Sequence, residues 1–287
     1  MQRSMSPPPI APAAGLFVAA AAFTAFWLAL NYAYPGLGPT GIPTAVFRTL
    51  THTAMLAGLW FGLARTDFSP AERLNTWFAI AVPLTAWLVA VWTLAVQGAF
   101  VQTPGSLVPR LPIAIFAPVV LLVIPLLRSR VVGAVLDATP ASWLIGLQVY
   151  RVLGGIFLVG WLRGNVPGTF ALPAGIGDVI VGLLALPVAV WLASGARGGR
   201  EAAIAWNLLG VADLVDAVAI GAITAPGPTQ LLVPEIVNSA ILQYPTVMIP
   251  AFIVPSSILL HALSLRQLLR QRETSHAVPH HAAPSAA

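Results

Sequence analysis

Long apolar runs separated by short polar breaks set the plan of this chain. A helix needs about 20 apolar residues to cross a bilayer. Eight runs are long enough, at 11–33, 43–64, 76–98, 111–127, 142–162, 171–193, 202–224 and 246–267. The pattern predicts an all-α fold, a polytopic transmembrane bundle of about eight spans. The first run is too long for a signal-peptide core and no small-residue cleavage site follows, so it is expected to remain as an anchor. Residues 1–127 would form a first four-span half and 128–268 a second, with 269–287 a disordered cytoplasmic tail. Between the last two spans lies "APGPTQLLVPEIVNSAILQYP", residues 225–245, rich in Leu, Ile and Val. Pro234 followed by Glu235 suits the first turn of a short helix at the interface or dipping inward.

Charge gives the bundle a direction. With eight spans, ten arginines (Arg3, Arg65, Arg73, Arg128, Arg130, Arg197, Arg200, Arg266, Arg270 and Arg272) fall on one side, and only Arg110 and Arg163 on the other. The positive-inside rule then puts both termini in the cytoplasm. Composition agrees: 58% of the chain is hydrophobic and 8% charged, against about 25% charged in soluble domains. The high content of Arg over acids reads as topology, and nucleic acid is not expected as a partner; the bilayer is.

Two absences narrow the chemistry. Without cysteine there are no disulfides, thiolate metal sites, cysteine nucleophiles or lipoprotein anchor. Without lysine, a retinal or pyridoxal Schiff base has no attachment point, and a phosphate loop ending in Gly-Lys cannot form. No cofactor and no metal site is expected. His52 and His261 are the only histidines within spans, and their depths differ by about 8–10 Å by helix rise, a poor match for two axial ligands of one haem.

Five ionisable groups besides histidine lie inside the spans: Arg48, Arg151, Asp178, Asp213 and Asp216. A central Asp or Arg costs roughly 2.5–3.5 kcal/mol, so together they would cost on the order of 12–17 kcal/mol facing lipid. They should therefore face the bundle interior. Counted from the outer boundary, Arg48 and Asp178 lie about 8–10 Å deep, Asp216 near ~12 Å, and His52, Arg151 and Asp213 near ~14–17 Å. Spacing pairs Arg48 with His52, Gln148 with Arg151, and Asp213 with Asp216 on shared helix faces. This predicts one outer-half cavity lined by Arg48, His52, Gln148, Arg151, Asp178, Asp213 and Asp216. Asn207, half a turn from Asp216, and His261, deeper, are expected to stay outside it. Two Arg against three Asp leaves one carboxylate over.

That surplus suits proton-linked transport of a small solute or ion. A buried ion-pair network in a structural or accessory protein, with Arg48 on Asp216 and Arg151 on Asp213 or Asp178, is the alternative. A homo-oligomer is compatible with either.

Two resemblances add to this. "GIGD" at 175–178, with "YR" at 150–151 and "PAF" at 250–252, resembles the GxGD intramembrane aspartyl proteases, the presenilin and signal-peptide-peptidase families. That resemblance implies hydrolysis using Asp178. The family's first catalytic aspartate has no counterpart, because Arg151 follows Tyr150; Asp213 or Asp216 would have to replace it. Over Gln148–Leu268, "QVYRVLGG", "LPAGIGDVIVGLLA", "AWNLLGVADLVDAV" and "IPAFIVPSSILLHALSLRQL" resemble uncharacterised bacterial multi-pass inner-membrane proteins. That implies fold and an inner-membrane location, but no chemistry. Enzymatic activity is not the favoured expectation.

Overall fold

The computed structural model describes residues 10–34, 42–103 and 105–276, and among them every regular element is a helix. Helices α1 (Ile10–Ala33), α2 (Ile42–Leu63), α3 (Pro70–Val96) and α4 (Arg110–Arg128) come first, followed by a short α5 (Arg130–Ala138). The next crossing is composite: α6 (Ala141–Leu147), a 3₁₀ segment (Gln148–Gly155) and α7 (Ile156–Leu162). Helices α8 (Gly168–Ala193) and α9 (Gly199–Thr224) follow, and a π turn (Ile249–Ile253) leads into α10 (Val254–His276).

Seven of these crossings are long and apolar enough to span a membrane: α1, α3, α4, α6–α7, α8, α9 and the π turn with α10. The protein is thus an all-α, multi-pass membrane bundle. Helix α2 has 22 residues, a sufficient length at 1.5 Å per residue, but Arg48 and His52 dilute its apolar character. Local chemistry sets several ends. Ser69 and Glu72 form a capping box at the start of α3, with the Ser69 N–H donating to Glu72 Oε2 at 2.8 Å. The Ser129 hydroxyl accepts from Val132 N–H where α4 breaks into α5.

Among the described residues, arginines that flank the crossings sit at the bundle ends. Arg266 of α10 donates to the carbonyls of Leu126 and Ser129 at 3.0 and 2.9 Å. Arg200, at the start of α9, donates to Leu268 O at 2.8 Å, and Arg65 stacks on Trp143 of α6. At the opposite end Arg110 donates to Ala99 O, and Arg163 to Tyr32 O.

Residues 225–248 depart from the expected short helix. The stretch around Pro234 and Glu235 is extended or bent, and the one helical turn is Ala240–Leu242. Asn238 Nδ2 donates to Thr224 Oγ1 at 2.9 Å, and Ile241, Leu242, Val247 and Met248 are buried. Packing these side chains into the bundle wins over an interfacial helix, which would have left half of them in the headgroup region. At the C-terminus α10 runs to His276; the rest of the expected tail, 277–287, lies outside the described residues.

The core has two apolar clusters. One, built around Phe157, Phe170, Leu214, Ile241 and Phe252, lies toward the arginine-poor end. The other, built around Ile145, Val181, Trp206 and Leu268, lies toward the arginine-rich end. Each of four crossings contributes to both, and between its two contributions comes a polar residue.

Candidate functional site

Arg151 occupies that polar layer. It sits in the 3₁₀ segment, between Ile145 and Phe157, with its side chain 1% exposed. Its Nε donates to Asp178 Oδ1 at 2.8 Å, and its Nη2 is also ion-paired with Asp178 Oδ1, at 2.6 Å. The same Nη2 pairs with Asp213 Oδ2. Its Nη1 donates to Gly210 O at 3.2 Å and lies 3.4 Å from His261 Nε2. His261 Nδ1 is 2.9 Å from Asn207 Oδ1, and Asn207 Nδ2 donates onward to Ser264 Oγ at 3.0 Å and to Ala203 O. One network therefore links the 3₁₀ segment, α8, α9 and α10. Arg151's two are the only ion pairs among the described residues.

Small residues make this geometry possible. A Cβ on Gly154 would collide with the Asp178 carboxylate, and one on Gly177 with that of Asp213. The glycines of "GIGD" are thus accounted for by close helix approach: Gly175 admits Leu158, and Gly177 admits Asp213.

Of the residues expected in one cavity, Arg151, Asp178 and Asp213 meet directly. Arg48 shares a cavity with Arg151 and Asp178, together with Trp27, Thr51, Tyr150 and Ser257, yet pairs with neither carboxylate. It donates to Pro245 O at 3.1 Å and to the Tyr244 hydroxyl at 3.4 Å, over the rings of Trp92 and Tyr244. His52 turns elsewhere, with Nε2 3.0 Å from Thr85 Oγ1. Gln148 is fully buried, with both amide atoms lacking a hydrogen-bond partner. Asp216 is exposed on the outer face of α9 and does not pair with Arg48.

Asn207 and His261, expected outside, are members of the network. The opposition of Asn207 and Asp216 on α9 holds, but Asn207 faces in and Asp216 faces out. Asn207, Gly210 and Asp213 drift around the helix in steps of three, and His261 and Ser264 share a face of α10; that spacing was the available signal. His261 has both ring nitrogens engaged, whereas His52 has Nε2 on Thr85 and a buried Nδ1 without a hydrogen-bond partner.

No curated protein and no solved structure matches the chain. Residues 108–269, more than half of it, match a family described as a domain of unknown function, DUF8737. Every member of the Arg151 network falls inside that range, whereas Arg48 and His52 precede it. The chain belongs to the DUF8737 family, whose matched region here carries the buried Arg151–Asp178–Asp213 group at its centre.

Proposed function

We propose that this protein is an inner-membrane transporter moving a small solute or ion in step with protons, with Arg151, Asp178 and Asp213 as its coupling group. The observation that carries the reading is the position of Asp178. While bonded to Arg151, it forms part of the wall of two cavities, which also share Leu214, Ile249 and Val254. One cavity reaches Gln102, Pro226 and Thr229 at the arginine-poor end; the other leads to Arg48.

One guanidinium facing two carboxylates leaves one surplus negative charge when all three are ionised. A single proton neutralises the group, so it can load and release a proton without stranding a second charge in a low-dielectric layer. Arg151 holds whichever carboxylate is ionised. The winding around it supports movement: the 3₁₀ segment and the π turn both line the Arg48 cavity, through Leu153 and Gly154 on one side and Ile249 and Ile253 on the other. Short 3₁₀ and π stretches mark hinges and functional sites, and transporters place substrate at interrupted helices near the midplane. In this reading α2 is the eighth span, and both termini lie on the cytoplasmic, arginine-rich side.

Proteoliposome flux tests the proposal. Asp178→Asn or Asp213→Asn should stop transport or uncouple it from the proton gradient. Wild-type rates and coupling in both variants would end it.

A structural role is the second reading, favoured by how completely Arg151 is satisfied through Gly210, His261 and Asn207. It expects stability to fall in the same variants and no solute to move in any. Intramembrane hydrolysis by Asp178 with Asp213 or Asp216 has the least support, since Arg151 bridges the carboxylates that would have to share a proton.

A further inference from the structure

Arg48 is a cation in an apolar layer with no anion to meet. It is 4% exposed, its hydrogen bonds go to a neutral carbonyl and a neutral hydroxyl, and its Nε is buried without a partner. Among the described residues no carboxylate lies within ion-pair distance of it. Residues 35–41, which precede α2 in the chain, contain no acid either. Leaving a buried charge uncompensated is costly enough that such groups normally find a counter-charge. The rings of Trp92 and Tyr244, 4.8 and 5.4 Å from the guanidinium carbon, offset part of that cost. They supply no formal charge.

The cavity beside it has the character of a ligand site. Its volume is about 70 Å³, room for a few water-sized groups and so for only the smallest organic anions. Its walls are largely apolar, through Trp27, Leu153, Ile156 and Ile253, and its polar groups are few: Arg48, Thr51, Tyr150, Ser257 and the Arg151–Asp178 pair. A small anion with a compact apolar body fits that division: its charge on Arg48, its hydrocarbon against the aliphatic wall.

We infer that the cavity binds a small monocarboxylate, its carboxylate on Arg48. This rests on the transport reading and names its substrate class. It also supplies the coupling. An anion on Arg48 shares a low-dielectric cavity with Asp178, so its charge repels an ionised Asp178 and favours a protonated one. By linkage, the proton strengthens anion binding by the same factor. Carboxylate and proton then cross together, and the pair that moves is neutral.

The test compares thermal melting of the purified protein with acetate and propionate, with the neutral acetamide and propionamide, and with chloride at equal ionic strength. The carboxylates should raise the melting temperature by several degrees, and the amides and chloride should not. Arg48→Gln should melt at or above wild type, since it removes an unpaired buried charge, and should lose the carboxylate shift. Thr51→Leu, which fills the cavity while keeping Arg48, should lose the shift as well, so the result stands even if Arg48→Gln fails to fold. Equal shifts with chloride or with the amides, or a carboxylate shift that survives Thr51→Leu, would overturn the inference. The transport reading fails separately: carboxylate binding without flux leaves the site and removes transport, whereas proton-coupled flux of a neutral solute removes the site and leaves transport.

Discussion

Two arginines buried in the same bundle show how surroundings decide what a charge does. Arg151 is held by two carboxylates, a carbonyl and an imidazole, whereas Arg48 has only neutral acceptors and aromatic faces. Arg151→Met strands two carboxylates next to each other and should cost about 3–5 kcal/mol, read as a large drop in melting temperature in detergent. Asp216→Asn is the internal control: the side chain is exposed and makes no ion pair, so its effect should stay within about 0.5 kcal/mol. Gln148→Met should act in the opposite direction. Its amide is fully buried with neither atom bonded, and an unsatisfied buried polar group costs about 1–3 kcal/mol. A melting temperature above wild type is the expected result, and a fall would mean that the amide is satisfied by a bound molecule or by water.

The crossings themselves were legible as apolar runs; what the runs do not encode is where a crossing stops being an α-helix. "QVYRVLGG" and "IPAFIVP" carry glycines and prolines of the kind that break helices, but proline also occurs inside α3, α4 and α8 without ending them. The 3₁₀ winding at Gln148–Gly155 arises where this segment lies against α8, with Gly154 meeting Asp178 and Gly182 meeting the backbone of Val152. Gly177→Ala tests that closeness. The added methyl has no room beside Asp213, and overpacking of this kind costs about 1–3 kcal/mol. If the variant melts like wild type, α8 and α9 are further apart than the geometry requires. The segment 225–248 makes the same point: its Leu, Ile and Val content does not say which side chains enter the core, and Ile241, Leu242, Val247 and Met248 join the cluster of Phe157, Phe170 and Leu214 while Leu231, Leu232, Val233 and Val237 stay exposed.

For the molecule as a whole, the arrangement of arginines is a direct prediction of topology. The absence of cysteine makes it simple to check. Single cysteines placed by Asp67→Cys or Ser194→Cys should react with an impermeant reagent from one side of the membrane, and Ser106→Cys or Asn165→Cys from the other. A mixed pattern would break the alternating order of the crossings. That order, the helical class and the membrane setting follow from hydropathy and charge alone, because lipid leaves a spanning chain almost no choice except a hydrogen-bonded helix. Which way each helix turns is another matter. Depth along a span can be counted from a boundary, and it put Arg151 and Asp213 at one level and Asp178 nearer the outer face, in the same half of the bundle. Rotation about the helix axis is set by contacts with neighbouring helices, so the separation of Asp216 and His52 from the group, and the entry of Asn207 and His261, required the folded structure.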